Sequence, residues 1–157
     1  MKDIAESKRV GKLVRSISKQ CYLNAFRVVQ NVPGYAKADY VEGMAVLGGL
    51  PIEHGWVEID GVIVDPTLPM HQGEYFPGLR FSGEYGLAEA LQRYKSTELP
   101  FFYHFGWGGV DSPEFKAALI AAYRHAGWED MAKRYEEYEP QLACEDSPDG
   151  RTAVVAE

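Results

Sequence analysis

From Ile4 onward the apolar residues Ile4, Val10, Leu13 and Val14 recur at helical spacing, which predicts a helix over residues 4–15, weakened by Gly11. After a short connection, Ser16 to Gln20, a second helix opens at Cys21. It carries Ala25, Val28 and Val29 at three- and four-residue steps until Asn31-Val32-Pro33-Gly34 stops it. The run Asp39 to Gly48 alternates as a strand does, and Gly48 to Pro51 breaks it. Next come two runs of strand formers, His54 to Ile59 and Val62 to Thr67, around Asp60-Gly61, a dipeptide suited to a two-residue hairpin turn. Leu87 to Lys95 reads as a short helix and Phe101 to Gly109 as an aromatic, glycine-rich strand or loop. The clearest helix start is Asp111-Ser112-Pro113-Glu114, with Asp111 or Ser112 as cap and Gly127 as the stop. A last helix runs from Glu129 to Tyr138, before Pro140. The sum is an α+β chain, read as one domain over residues 1–140 with a polar tail, 141–157.

Composition narrows the function classes. A chain of 157 residues, 46% hydrophobic and 25% charged, can bury a core of ordinary size. No apolar run reaches the ~20 residues that span a bilayer. The first residues lack the apolar block of a secretion signal, so a cytoplasmic protein with no membrane partner is expected. In that reducing compartment a bond between Cys21 and Cys144 is disfavoured. A net charge of −7 argues against a nucleic-acid partner. The one basic cluster, Lys8 to Lys19, is interleaved with apolar residues and reads as the solvated face of the first helix.

The hairpin is where the pattern turns chemical. With Asp60-Gly61 as the turn, Ile59 pairs with Val62, and Trp56 comes to lie opposite Asp65. Alternation then puts His54, Trp56, Glu58, Ile63, Asp65 and Thr67 on one face and Val57, Ile59, Val62 and Val64 on the other. His54 and Asp65 become diagonal neighbours, the relation by which a carboxylate fixes the tautomer of a general base. Cys21, at a helix mouth, sits where unsatisfied amides favour a thiolate. Its own N–H and that of Tyr22 are candidate oxyanion donors, with Gln20 as a further side-chain donor. Each residue also has a plainer reading. A cysteine fills core space, a strand histidine is simply hydrogen-bonded, and an Asp-Pro starts a turn. Asn24 reads as a helix-surface residue or as a bond to the loop holding Gln20. Trp56 is expected beside the imidazole. Tyr40, Glu42 and Gly43 are candidates for a substrate-binding strand, Glu42 otherwise reading as solvated. His71 and His104 have no partner at metal-ligand spacing, and no Cys-x-x-Cys or His-x-x-x-His occurs, so neither a metal nor another cofactor is expected.

Taken in order, Gln20-Cys21-Tyr22, Tyr40-Val41-Glu42-Gly43, His54-Gly55-Trp56-Val57-Glu58 and Val64-Asp65-Pro66-Thr67 resemble the core of the transglutaminase-like superfamily. The resemblance covers roughly residues 18–68. It implies a papain-like fold, with a nucleophile helix packed on an antiparallel sheet. It also implies Cys21 as nucleophile, His54 as general base and acid, and Asp65 as the residue orienting His54. The activity it implies is cysteine-dependent acyl transfer on an amide bond of a peptide, protein or small amide. Hydrolysis, transamidation and glutamine deamidation are all open to that chemistry, and inactive scaffolds that only bind also occur. Tyr22 stands where that family commonly has Trp, and the acidic calcium loops of the large cross-linking enzymes have no counterpart.

Overall fold

The computed structural model describes residues 1–94, 99–105 and 107–139. The expected tail, with Cys144, lies outside the described residues. Helix α1 (Ile4–Leu13) is capped by Asp3, whose carboxylate accepts the Glu6 N–H at 2.9 Å. It ends before Arg15, which turns the chain at φ 52. Helix α2 (Cys21–Asn31) starts on the predicted residue and buries Ala25, Val28 and Val29.

Strands β1 (Asp39–Leu47) and β2 (Leu50–Ile59) form a continuous hairpin. Here the expected break is corrected. Gly48 and Gly49, both at positive φ, complete the turn alone, so pairing resumes at once with Leu47 opposite Leu50. Strand β3 (Val62–Val64) follows the Asp60-Gly61 turn, whose residues adopt φ 51 and 75. The register pairs Ile59 with Val62 and Val57 with Val64, as the pattern requires.

Strand β4 (Glu74–Ser82) is the element the pattern did not announce. Pro77 and Gly78 interrupt its alternation, and the ladder accommodates them by a register shift opposite Glu42 and Gly43. Helix α3 (Gly83–Arg93) begins four residues before Leu87. The aromatic run folds as a 3-10 turn, Phe101–His104, not a strand. Helix α4 (Pro113–His125) is capped by Ser112, and α5 (Glu129–Glu136) stops two residues short of Tyr138.

The sheet is antiparallel throughout, in the order β3-β2-β1-β4. Helix α2 packs on β1 and β2, α4 on β4 and β1, and α5 on α4. Tyr40 of β1 shows what joins the layers, since its ring meets Phe26 of α2 and Phe101 of the 3-10 turn edge-on at 6.5 and 6.2 Å. Among the described residues, no helix is long and apolar enough to cross a membrane.

Candidate active site

The site is assembled where the start of α2 meets the end of the β2-β3 hairpin. Gly55 makes that meeting possible: a Cβ there would stand 2.7 Å from Tyr22 Cδ1 and 3.1 Å from Tyr22 Cα. No larger residue leaves room for the first turn of α2 to lie on β2. The half-buried Cys21, first residue of α2, is thereby set against β2 near His54, where its thiol favours the charged imidazole.

His54 is 2% exposed, and its Nε2 lies 2.8 Å from Oδ2 of the fully buried Asp65. A carboxylate only accepts, so Nε2 carries the proton and the tautomer is fixed. Burial alone would depress the imidazole. The hydrogen bond His54 donates to Asp65, then the influence of the Cys21 thiol and the Asp65 charge, outweigh burial and raise it from 6.5 to about 9. Asp65 is held well below the usual carboxylate range, because its bond and attraction to His54, with the Lys2 charge, exceed the cost of burial.

Asp65 is itself gripped from four directions. Its Oδ1 accepts the N–H groups of Thr67 and Leu68 at 2.9 and 3.0 Å, the turn that Asp-Pro-Thr encodes. Its backbone N–H donates to Ser7 Oγ of α1 at 3.0 Å. Its Oδ2 accepts the Tyr75 hydroxyl of β4 at 2.8 Å and lies 3.4 Å from Lys2 Nζ. The Lys2 side chain, 3% exposed, also donates to Leu68 O at 2.7 Å, His71 O at 2.9 Å and Tyr75 Oη at 2.8 Å. Burial lowers its pKa, opposed by the attraction of Asp65. Sequence reasoning missed both Lys2 and Tyr75. Tyr75 belongs to the unannounced strand, and Lys2 arrives through a parallel bridge to Ile63 that no local periodicity reports.

The supporting residues divide. Trp56 stacks near His54, with centroids 6.3 Å apart and planes at 19°, and its indole N–H donates to Glu58 at 2.9 Å. Gln20 is exposed and its side chain makes no cap bond, so it stands at the helix mouth free to turn. The Tyr22 ring meets Phe102 edge-on, and its hydroxyl is the one buried side-chain polar atom without a partner among the described residues.

Burial corrects the readings of Tyr40, Glu42 and Gly43, and for Asn24 it selects the bond to the loop holding Gln20 over the helix-surface reading. Asn24 is not on the helix surface: it is fully buried, and its amide bonds both backbone groups of Ile17, at 3.1 and 2.7 Å, and Thr67 Oγ1 at 3.0 Å. It thus ties the loop before Cys21 to the loop after Asp65. Tyr40 and Glu42 are fully buried and cannot line a substrate strand. Glu42 accepts the Tyr40 hydroxyl and the Phe101 N–H, each at 2.7 Å, and the Phe102 N–H at 2.9 Å, pinning the aromatic turn to the sheet. Burial pushes Glu42 up to about 7, against the pull of those donors. Gly43 faces inward as well, where a Cβ would lie 2.3 Å from Phe76 O and 2.9 Å from Trp56 Cη2.

Among the described residues no group of three or more metal-ligand side chains is gathered for an ion. Comparison with family models, curated proteins and solved structures returned no match.

Proposed function

We propose that this protein is a cysteine-dependent acyl-transfer enzyme that opens an amide bond through a thioester on Cys21. The observation that carries the reading is one buried imidazole, bonded at 2.8 Å to Asp65 and carried on the strand against which the first turn of α2, begun by Cys21, is packed. The papain-like, transglutaminase-like assignment is part of this proposal and rests on the order and spacing of the four motifs.

Because Asp65 occupies Nε2, the Nδ1 nitrogen is left for the thiol. Nδ1 takes the thiol proton, and the thiolate attacks the amide carbon, moving its π electrons onto oxygen. The free amides of the first turn of α2 stabilise that oxyanion. Collapse breaks the C–N bond, and the imidazolium returns its proton to the departing amine. Water or a second amine then attacks the thioester, with His54 again taking the proton. Asp65 stabilises the imidazolium throughout, and Trp56 and Tyr75 keep water from it.

Incubating the protein with a library of glutamine-bearing peptides and measuring intact mass tests the reading. A peptide acyl adduct on Cys21, discharged by hydroxylamine and absent from Cys21→Ala, supports it. Peptide release without change, with adducts never formed and peptides held equally by both proteins, favours the alternative of a binding module. Conversion of glutamine to glutamate in the released peptide selects the deamidase form of the same chemistry.

A further inference from the structure

The basic cluster is more than a solvated helix face. Lys8 and Lys12 lie four residues apart on one stripe of α1, and Arg15 follows in the turn just past the helix end. That stripe forms one wall of an open trough of about 580 Å³, whose other wall is the loop after Asp65. Gly11 closes the floor: a Cβ there would stand 2.8 Å from Pro66 O, so only glycine lets α1 lie directly on that loop.

The trough is chemically one-sided. Ser16, Ser18 and Thr67 contribute hydroxyls to its lining, and no carboxylate lines it. Among the described residues none of the three cations has an ion-pair partner. The acidic groups of α1 are committed elsewhere, Asp3 to the helix cap and Glu6 to Arg9 and Tyr35. Thr67 Oγ1 accepts from Asn24, so its own proton is available to a ligand. In a chain of net charge −7, this concentration of unpaired positive charge is local and runs against the whole.

The trough is also fixed to the candidate active site. Thr67 donates its N–H to Asp65 Oδ1 at 2.9 Å, and Ser18 lies three residues before Cys21. Asn24 ties the two walls together through Ile17 and Thr67.

We propose that this trough binds an acidic segment of the peptide whose amide the Cys21 site opens; the assignment of substrate class rests on the function proposed above. The step from Lys8 to Lys12 rises about 6 Å along α1. An extended peptide places side chains on one side every ~7 Å, so two carboxylates spaced by one residue meet the stripe. The net negative charge repels a long phosphate backbone, whereas a short acidic segment engages only the local cations.

Fluorescence anisotropy with labelled hexaglutamate tests the site without turnover. The peptide is expected to bind the full chain at low salt and to weaken as salt rises. The double variant Lys12→Glu/Arg15→Glu should weaken it at least tenfold while its circular dichroism stays native. If that variant is misfolded, amide shifts of Lys8, Lys12, Ser16 and Thr67 in the native protein take its place, and their movement on peptide addition is required. Absence of binding, binding indifferent to the charge reversal or to those amides, or tighter binding of oligothymidylate overturns the proposal. None of these results touches the thiol chemistry, which is read separately by the Cys21 adduct.

Discussion

At the scale of single residues, the site is a balance of charges around one imidazole. Lys2 competes with His54 for Asp65 Oδ2, so its positive charge holds the imidazole lower than Asp65 alone would. Lys2→Met removes that competitor, and the His54 ring protons, followed by NMR, should titrate above the native value of about 9 by up to roughly one unit. An unmoved titration would mean that Lys2 only packs. Asp65→Asn works in the opposite direction, since it keeps the shape and removes the charge. Burial then prevails, and the same ring should titrate below its ordinary 6.5. His54 and Asp65 are both named by the hairpin alternation, because a two-residue turn fixes which side chains share a face. Lys2 is not, because its contacts span more than sixty residues of sequence. Nor is the burial of Glu42, since its three donors come from Tyr40 and from an aromatic turn far along the chain.

At the scale of elements, the contact between α2 and β2 decides whether Cys21 and His54 meet. Gly55→Ala puts a methyl group within 2.7 Å of the Tyr22 ring and 3.1 Å of its Cα, one of them backbone that cannot give way cheaply. The helix start is then pushed off the strand. The protein should lose roughly 1–3 kcal/mol of stability by denaturant titration, the usual cost of overpacking. The pairing of Cys21 with His54 should weaken with it, so that an electrophile no longer distinguishes Cys21 from a free thiol. Full stability and full reactivity in Gly55→Ala would place the helix elsewhere. The elements legible in the chain were those that local rules specify completely. Helix α2 has its periodicity and stop, α4 has Ser112, Pro113 and Gly127, and the Asp60-Gly61 turn has its two positive φ angles. Strand β4 was hidden because Pro77-Gly78 breaks its alternation and its pairing with β1 is set by tertiary contact alone.

For the molecule as a whole, two buried groups link stability to pH in one direction. His54 has a folded value raised from 6.5 to about 9, so its contribution is complete below pH 6.5 and is lost as pH rises through 9. Glu42, raised from 4.5 to about 7, acts in the same sense over its own lower range. Asp65 opposes them only in acid, where its depressed value makes its stabilisation fade as pH falls below the ordinary carboxylate range. The unfolding midpoint should therefore be higher near pH 6 than near pH 9, with His54 supplying up to about 3 kcal/mol of the difference. Thermal melts at the two pH values check this, and a midpoint that rises toward pH 9 would contradict it. Whether Cys21 is a nucleophile served by His54 is read by its alkylation rate, without knowledge of the substrate. In a Cys144→Ser background at pH 7, chloroacetamide should modify Cys21 several-fold faster than it modifies a thiol in an unstructured peptide. His54→Ala should bring the two rates together while circular dichroism stays native. Equal rates for Cys21 in the native and His54→Ala proteins would contradict the pairing and leave Cys21 as a residue of the core.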